Sequence, residues 1–367
     1  MTRDRAISTL TCLVNLSVLF DKPTGITTYA RSVYPYLQPL EPTLLVADAV
    51  PDYPCHIIPP NLSPAAGSRG HLRRLLWTQF RVPSLCRKLQ ASFLFSPVPE
   101  APLYRSCRYA VMVHDLIPLR FPQIFAASPL KYYFDYYVPQ VVQQADCVVC
   151  NSEATARDIC DFWGVSAAKV TPIPLACDRD HFRPLNLPPY QGLPYFLYIG
   201  RPDPYKNLKR LISAFATLGK DCELWIAGAS DPRYTPILKE QTQSLNVEGR
   251  VKFLEYVSYD KLPILLNQAL ALVFPTLWEG FGIPVLEAMA CGTPVITSNR
   301  SALPEVAGEA AILVDPYNTQ ELTAAMCLLI DDASLRSHFK TLGLQHVRQF
   351  SWQRTGQQTV EALQRYF

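Results

Sequence analysis

Charge of either sign is scarce in this sequence. Charged residues make up 18% of its 367 residues, and 34 Lys and Arg stand against 31 Asp and Glu, for a formal net charge of +3. A dedicated nucleic-acid-binding protein is expected to be strongly basic, so this balance indicates that the chain binds no nucleic acid. Hydrophobic residues make up 49% of the chain, which excludes intrinsic disorder. We therefore expect a globular protein, long enough for two domains.

Long apolar runs are missing as well, and the first residues do not have the pattern of a secretory signal, so we expect none. No segment reaches the roughly 20 apolar residues needed to span a bilayer, and the first 20 residues include Asp4 and interrupting polar residues. The eleven cysteines are odd in number and spread from Cys12 to Cys327, unlike the framework of a small disulfide-rich secreted domain. Cys147 and Cys150 form a lone C-x-x-C without a second pair to complete a zinc site, so we expect core thiols. These features predict a cytoplasmic protein, with membrane contact, if any, limited to its surface.

Two common phosphate-binding motifs do not occur. The sequence contains no G-x-x-x-x-G-K-[ST], and no G-x-G-x-x-G follows a predicted strand. This argues against P-loop ATPases and against ordinary NAD-dependent enzymes.

What the chain does contain is a repeated alternation of short apolar runs with segments of helical period. This pattern is typical of parallel strands linked by crossover helices, and it occurs in two series. The first series predicts strands at 10–20, 43–48, 93–96, 109–114 and 147–151, and helices near 27–37, 70–89 and 130–144. After a proline-rich stretch, the second predicts strands at 195–199, 223–227, 251–253, 271–274, 294–297 and 311–314. We expect an α/β fold with two Rossmann-like, doubly wound domains facing each other across a cleft.

Segment 274–298 has the features of an anion-binding strand–loop–helix unit. Glu279 and a Gly-Phe-Gly run follow an apolar strand, and the next helix has Pro284 in its first turn and Gly292 at its end. Small residues before a helix admit a ligand to the backbone, and the helix N-terminus favours an anion such as a diphosphate. Glu287, one turn into the helix, can accept hydrogen bonds from sugar hydroxyls. The alternatives are a solvated loop residue for Glu279 and a favourable first-turn charge for Glu287.

A second loop, in the segment YIGRPDPYKNLKR, contains two cations. Arg201 and Lys206 lie between a strand that ends at Gly200 and a helix that starts near Asn207. A guanidinium and an ammonium at the carboxyl end of a strand suit a leaving diphosphate, and could act there in place of a metal. Ordinary surface cations are the alternative explanation.

Two loops of the first series complete the set of candidates. Gly25 lies between a strand and a helix, where the absence of a side chain admits a polar ligand near the backbone. A further strand ends at His114 and Asp115, where the imidazole can bond a sugar and the carboxylate can act as a base. A turn glycine, a structural histidine and a turn-capping aspartate are the alternatives.

These motifs together resemble glycosyltransferase family 4. Glu279 and Glu287 form an E-x(7)-E motif inside EGFGIPVLEAMACGTPVITS, and GRPDPYKN, the VHD loop at His114 and NSEATARDI at Asn151 fall in family order. The resemblance covers nearly the whole chain and is strongest to bacterial O-antigen and exopolysaccharide mannosyltransferases. Two segments depart from it, since PTGITTY lacks the frequent double glycine and PIPLACD replaces the commoner PNG.

The resemblance implies the GT-B fold and a retaining hexosyltransferase. The acceptor-side domain would span 1–180, the nucleotide-sugar-binding domain 181–351, and a terminal helix near 352–367 would pack back onto the first domain. The enzyme would move mannose or glucose from GDP-mannose or UDP-glucose to a glycan or lipid-linked acceptor in cell-surface polysaccharide synthesis, with no metal or other cofactor. A nucleotide-sugar epimerase or phosphorylase of the same fold, or a non-catalytic sugar-nucleotide-binding subunit, are the alternatives.

The resemblance also implies roles for the candidate residues. Arg201 and Lys206 would hold the diphosphate, Glu287 the ribose and Glu279 the donor sugar, with His114 beside the transferred sugar. The base would lie near Tyr256 and Val257. The implied catalytic set is Arg201, Lys206, Glu279 and His114, with Asp115 as a candidate base, and the implied donor-binding set is Gly25, Tyr256, Val257, Gly280, Phe281, Gly282, Ile283 and Glu287.

The stretch 69–88 combines positive charge with apolar residues. Its sequence is RGHLRRLLWTQFRVPSLCRK, and Glu100 is the only acidic residue between Asp52 and Asp115. Such a composition predicts peripheral contact with an anionic membrane, on the inner face of the cytoplasmic membrane. A solvated helix face is the alternative. For the aromatic run 132–137, packing is favoured over an acceptor groove.

Overall fold

The computed structural model describes residues 11–19, 24–62, 67–188, 190–219 and 221–366. Contacts divide the chain into two compact units. The first unit combines the chain up to Pro174 with Trp352–Phe367, and the second unit spans Leu175–Ser351.

The first unit is built on a parallel sheet. Its strands are β1 (Thr11–Asn15), β2 (Thr43–Val46), β3 (Cys55–Ile57), β4 (Ala91–Ser96), β5 (Arg108–Val113), β6 (Cys147–Cys150) and β7 (Val170–Pro172). The strand order is β3-β2-β1-β4-β5-β6-β7, and the neighbours pair in parallel. The order therefore reverses between β1 and β4, which is the switch point where ligands bind in open α/β sheets.

Helices cover both faces of this sheet. The α-helices are α1 (Gly25–Val33), α2 (Gly67–Phe80), α3 (Val82–Lys88), α4 (Ile117–Arg120), α5 (Pro122–Phe125), α6 (Pro129–Tyr132), α7 (Val138–Gln144) and α8 (Glu153–Trp163). Among the residues that the structure describes, 3₁₀ helices occur at Tyr34–Leu40, Pro60–Leu62 and Ala167–Lys169, and a π turn occurs at Tyr133–Tyr137. The buried core combines sheet residues such as Leu13 and Val111 with Trp77 and Val141 from the helices.

Several predicted elements of this unit differ from the structure. The helix predicted at 70–89 is two helices that meet at Arg81, because Pro83 begins a new helix and lacks the N–H that a continuous helix needs. The helix predicted at 130–144 is interrupted by the π turn, and β3 and β7 were not predicted. The strand predicted at 10–20 ends at Asn15, and residues 10 and 20 lie outside the described residues.

The second unit has a parallel sheet of the same kind. Its strands are β8 (Tyr195–Ile199), β9 (Glu223–Ala227), β10 (Val251–Glu255), β11 (Ala271–Phe274), β12 (Val295–Ser298) and β13 (Ile312–Val314). The order β10-β9-β8-β11-β12-β13 is that of a Rossmann sheet and reverses between β8 and β11. The predicted α/β fold with two doubly wound sheets is therefore confirmed.

The helices of the second unit connect these strands. They are α9 (Leu208–Ala216), α10 (Thr235–Ser244), α11 (Leu262–Gln268), α12 (Ile283–Cys291), α13 (Leu303–Ala307), α14 (Thr319–Asp331) and α15 (Ala333–His346), with 3₁₀ helices at Pro204–Lys206, Tyr259–Lys261 and Val347–Gln349. Helix α12 ends as the sequence predicts, with Gly292 in the left-handed conformation (φ 76°).

The last helix, α16 (Trp352–Gln364), belongs to the first unit. It packs on α1 and on the 3₁₀ helix at Tyr34–Leu40. Thr355 Oγ1 donates a hydrogen bond of 2.7 Å to the carbonyl of Pro174. A Cβ at Gly356 would lie 2.3 Å from Cβ of Tyr36, so a glycine is needed for this close approach.

Candidate functional site

The switch point of the second unit brings two of the predicted loops together. Strands β8 and β11 are neighbours, so the loops that follow them begin at the same edge of the sheet. Tyr205 and Leu277 connect these loops through a backbone hydrogen bond of 2.8 Å. Asn207, whose side chain is buried, donates to the carbonyl of Pro275 at 2.9 Å and to that of Pro316 at 2.7 Å. The loops are therefore held in a fixed relation.

Lys206 and Glu279 form an ion pair across these two loops. Lys206 Nζ donates to Glu279 Oε1 at 2.7 Å, and the two side chains are only 15% and 10% exposed. The backbone N–H of Glu279 donates to Ser301 Oγ at 3.0 Å, which fixes the backbone beside the carboxylate. Two residues that the sequence places 73 positions apart thus meet at the carboxyl end of the sheet.

Arg201 has different carboxylate partners from Lys206. Its guanidinium is 62% exposed and lies 3.3 Å from Asp203 Oδ2 and 3.7 Å from Asp231 Oδ2. Asp231 is itself held by Arg233 through two side-chain hydrogen bonds of 3.0 and 2.7 Å, which lower the pKa of Asp231 to about 2. Sequence reasoning did not identify Asp231 or Arg233, although both follow β9 at its carboxyl end.

The residues of the Gly-Phe-Gly run, 280–282, have different structural roles. Gly282 has φ 106°, and a Cβ there would lie 2.6 Å from Leu303 Cδ2, so the loop geometry requires a glycine. Phe281 is 5% exposed and makes an edge contact with Phe350 at 6.2 Å between ring centroids, which is core packing. Ile283 is half-buried at the start of α12.

Glu287 lies at the middle of α12 and is half-buried. Burial raises the pKa of its carboxyl to about 8, so this group is protonated at pH 7. Burial raises the pKa values of Cys177, Tyr259 and Cys291, and Glu287, when ionised, is near enough to raise them further. Among the described residues, none makes a hydrogen bond to Glu287, so its oxygens retain unused hydrogen-bonding capacity.

A small depression lies at the carboxyl ends of β8, β9 and β10. Its lining includes Gly200, Gly228, Phe253 and Glu255. A Cβ at Gly228 would lie 1.9 Å from the carbonyl oxygen of Gly200, so the two backbones can approach only because a glycine is present. The next residue along the chain, Tyr256, is 69% exposed, and Val257 is half-buried.

A larger cavity, of about 400 Å³, lies elsewhere in the second unit. Its lining includes Pro194, Leu270 and Pro294, which precede β8, β11 and β12. The cavity is therefore at the amino edge of the sheet, opposite the predicted site residues, and contains none of them.

In the first unit, His114 follows β5, the strand next to β4 and one strand away from the switch point. Nε2 of His114 donates to the carbonyl of Pro97 at 2.9 Å, and its ring lies edge-on to Tyr29 at 5.1 Å. Burial lowers the pKa of His114 to about 4, so the imidazole is neutral at pH 7. The carbonyl of His114 accepts a hydrogen bond of 2.8 Å from the side chain of Asn151.

Asp115 and Gly25 lie in the loops near the same edge. Asp115 Oδ1 accepts a hydrogen bond of 3.0 Å from the N–H of Ile117 and so caps the turn that follows. Gly25 begins α1, and Thr24 caps this helix by accepting from the N–H of Thr27 at 3.3 Å. A Cβ at Gly25 would meet nothing within 4 Å, so packing in the described chain does not require a glycine there.

The basic stretch 69–88 has both surface and interior residues. Leu72, Leu76 and Phe80 are 58%, 48% and 73% exposed along one side of α2. Arg74 is 4% exposed and binds Glu100 through two hydrogen bonds of 2.8 and 2.7 Å, so this arginine is not part of the surface. Trp77 is also buried. Within the described ranges, no helix is both long and apolar enough to cross a membrane.

The aromatic residues of the stretch 132–137 are divided between the interior and the surface. Tyr137 donates to the carbonyl of Ala101 at 2.8 Å, and Tyr133 donates to Glu100 Oε1 at 3.3 Å, so both pack inward. Tyr132 and Tyr136 are exposed, with stacked rings 6.3 Å apart.

Comparison with known proteins gives matches along most of the chain. Residues 23–181 match the family model described as Glycosyltransferase Family 4, and residues 184–345 match the one described as Glycosyl transferases group 1. The chain is 29% identical over 276 residues to O-antigen chain mannosyltransferase B of Escherichia coli, covering 71% of each protein. It is 28% identical over 272 residues to O-antigen chain mannosyltransferase RfbU of Salmonella typhimurium, covering 73% of this chain and 74% of the relative.

Solved structures share the fold at lower identity. Sucrose-phosphate synthase from Thermosynechococcus elongatus aligns with a TM-score of 0.76 and 19% identity, over 97% of this chain and 98% of that chain. Anabaena HepE in complex with UDP-glucose aligns with a TM-score of 0.74 and 18% identity, over 97% and 100% of the two chains. These similarities show that the chain has the GT-B fold, and they carry no conclusion about substrate.

Proposed function

The chain belongs to the glycosyltransferases, with a Glycosyltransferase Family 4 region followed by a Glycosyl transferases group 1 region, and on this premise we propose that it transfers mannose from GDP-mannose to a glycan or lipid-linked acceptor. The sugar is proposed from two relatives that are named as O-antigen mannosyltransferases and align over about 70% of the chain. UDP-glucose is the alternative donor. The product would belong to a cell-surface polysaccharide.

The Lys206–Glu279 ion pair carries the proposal. It joins the loops after β8 and β11 at the switch point, where a parallel sheet binds its ligand. A diphosphate that enters there offers Lys206 a stronger anionic partner than a single carboxylate. Glu279 would then accept hydrogen bonds from the donor sugar, beside the start of α12.

Arg201 supplies the second cation of the proposed diphosphate site. Its exposed guanidinium lies at the end of β8 and is oriented by Asp203 and Asp231. A planar guanidinium can form paired hydrogen bonds with phosphate oxygens, and the Lys206 ammonium adds a compact charge. The two cations would stabilise the negative charge that develops on the departing diphosphate, so the reaction would need no metal.

The proposed stereochemical course is retention. In this mechanism the departing diphosphate oxygen takes the proton of the acceptor hydroxyl on the same face of the sugar. Asp115, the candidate base, uses one carboxylate oxygen to accept from the Ile117 N–H, as a turn-capping aspartate does. His114, neutral and donating through Nε2 to Pro97, would act as a hydrogen-bonding group beside the sugar rather than as a charged acid.

Donor release and ligand-induced stabilisation test this function. The full chain is incubated with GDP-mannose or UDP-glucose, with and without octyl α-mannoside as acceptor, and released GDP or UDP is measured in the presence and absence of EDTA. GDP release that depends on acceptor, is insensitive to EDTA and yields an α-linked product supports the proposal. A β-linked product refutes retention, and UDP release alone favours the alternative donor.

Thermal denaturation identifies the nucleotide independently of the acceptor. A ligand at a hundred times its dissociation constant stabilises a protein by about 2.7 kcal/mol. We expect GDP to raise the midpoint more than UDP or ADP, with and without EDTA. If no nucleoside diphosphate raises it, a non-catalytic or acceptor-dependent protein becomes the better explanation.

We also propose that the exposed side of α2 contacts an anionic membrane. Leu72, Leu76 and Phe80 lie at spacings of four residues on that side, with Arg69 and Arg73 exposed beside them. Apolar side chains flanked by arginines are suited to a surface of anionic lipid headgroups.

Vesicle flotation tests the proposed membrane contact. The full chain should float with vesicles of phosphatidylglycerol and phosphatidylcholine, and should remain unbound with pure phosphatidylcholine. The variant Leu76→Ser should weaken flotation. The control Leu328→Ser, at an exposed leucine of the second unit, should have no effect. Equal flotation of both variants would contradict the assignment.

A further inference from the structure

Two cysteines of the first unit lie in contact although the sequence separates them widely. Cys86 is on α3 and Cys107 immediately precedes β5, 21 residues along the chain. The Cys107 thiol donates a hydrogen bond to Cys86 Sγ at 3.3 Å. A disulfide has an S–S length of about 2.05 Å, so the two sulfurs need to approach by only about 1.2 Å to bond.

The environment of this pair differs from that of the other thiols. The hydrogen bond from Cys107 lowers the pKa of Cys86, and Ser106 acts in the same direction. Burial instead raises the pKa of Cys12, Cys147 and Cys160. Because the thiolate is the nucleophile in disulfide chemistry, Cys86 is activated relative to these other cysteines.

The position of the Cys86–Cys107 pair in the fold also favours oxidation. Cys86 is buried and Cys107, in contact with it, is half-buried, so the pair lies where the core meets the surface. The C-x-x-C pair, Cys147 and Cys150, is the one that sequence spacing singles out, but both lie fully buried in β6. The contact in the fold, rather than the spacing in the sequence, therefore identifies the candidate pair.

We propose that Cys86 and Cys107 are a modification site that forms a reversible intramolecular disulfide when the protein meets a peroxide. The hydrogen bond to Cys86 and burial raise the pKa of Cys107, so Cys86 is the nucleophile of the pair. The Cys86 thiolate attacks one oxygen of hydrogen peroxide, the O–O bond breaks, and Cys86 becomes a sulfenic acid, while the released hydroxide takes the proton that Cys86 has lost and forms one water. The Cys107 sulfur then attacks the Cys86 sulfur, the S–O bond breaks, and the departing hydroxide takes the Cys107 proton and forms the second water. Two thiols and one peroxide thus give one disulfide and two waters.

The bond would fasten α3 to the start of β5. Cys86 packs in the buried core of the first unit and Cys107 packs against that core, so the link would join two segments already in contact. A crosslink of this loop length restricts the unfolded chain more than the folded one, and we expect the oxidised protein to melt about 5 °C higher or more. A thiol reductant such as dithiothreitol would reverse the bond.

Thiol counting after peroxide treatment tests this site directly. The reduced full chain is treated with hydrogen peroxide and then denatured in the presence of N-ethylmaleimide, which alkylates every free thiol. The adducts are counted by intact mass, and the linked peptides are identified by peptide mapping. We expect two fewer adducts than the eleven of the reduced chain, a linked peptide pair containing Cys86 and Cys107, and recovery with dithiothreitol. Both Cys86→Ser and Cys107→Ser should abolish the two-thiol loss, whereas the control Cys160→Ser should retain it.

Three results would overturn the proposal. One is a full set of adducts after peroxide treatment. Another is a bond between different cysteines or between two chains. The third is a lower melting point of the oxidised chain, since the bond would then form only in a distorted structure. If Cys86→Ser does not fold, Cys107→Ser, at a half-buried position, still decides the outcome.

Discussion

The Lys206–Glu279 ion pair has a structural role and a proposed catalytic role, and a pair of isosteric variants can separate the two. At 2.7 Å and an effective dielectric constant of about 20, the direct attraction is about 6 kcal/mol before the cost of desolvation. Removing one partner of such a poorly exposed pair costs about 3–5 kcal/mol, because the other charge is left buried alone. We therefore expect Lys206→Met and Glu279→Gln each to lower the melting point by about 6–12 °C.

The double variant should behave differently in the two assays. With both charges removed, no unpaired charge remains, so its melting point should lie above that of either single variant. Its rate of nucleoside diphosphate release should nevertheless stay at least about 100-fold below the original, because the diphosphate has lost a cation. The assays are thermal denaturation and GDP release from GDP-mannose with octyl α-mannoside. Additive losses of stability would refute the ion pair, and an active double variant would refute the diphosphate assignment.

Three further predictions concern individual site residues. Gly25→Ala should leave the melting point unchanged or slightly higher, because its Cβ meets nothing within 4 Å. If the ligand approaches this backbone, the same substitution should raise the KM for the donor at least about tenfold, and an unchanged KM would contradict that placement. Arg201→Ala should reduce turnover at least about 100-fold with little change in melting point, since the guanidinium is 62% exposed, and near-normal turnover would exclude Arg201 from the diphosphate site. Burial raises the pKa of Glu287 to about 8, and ribose hydroxyls donate best to the carboxylate, so binding should release a proton. GDP affinity, measured by calorimetry, should therefore rise from pH 6 to pH 8. In the Glu287→Gln variant, which has no carboxyl at this position, the rise over the same pH range should be smaller.

Most strands could be predicted because both faces of a parallel sheet are covered. The resulting continuous apolar runs placed the strands of the second unit within two residues of their observed ends. The two strands that were not predicted, Cys55–Ile57 and Val170–Pro172, are three residues long and lie at the two edges of the first sheet. Edge strands are only partly covered, so their sequences lack the apolar run that marks an interior strand.

The site was predictable as a set of loops but not as a set of contacts. The rule that ligands bind in the loops beyond the carboxyl ends of parallel strands selected the loops of Arg201, Lys206 and Glu279. Which cation meets which carboxylate depends on the distance between loops, which periodicity does not specify. The same limit explains Arg74, which the composition of its stretch assigned to the surface. Its partner, Glu100, lies in another loop, and the pairing of the two allows both to be buried.

The charges of the second unit's site are compensated before any donor binds. Lys206 is neutralised by Glu279, and Arg201 is shared between Asp203 and Asp231. Glu287 avoids an uncompensated charge in another way, by remaining protonated. A donor diphosphate bound as we propose would therefore exchange partners with the cations rather than neutralise an excess of positive charge. This exchange would free the Glu279 carboxylate only when the diphosphate is in place. Its hydrogen bonds to the sugar would then form only with a complete donor and would favour the nucleotide sugar over the free sugar.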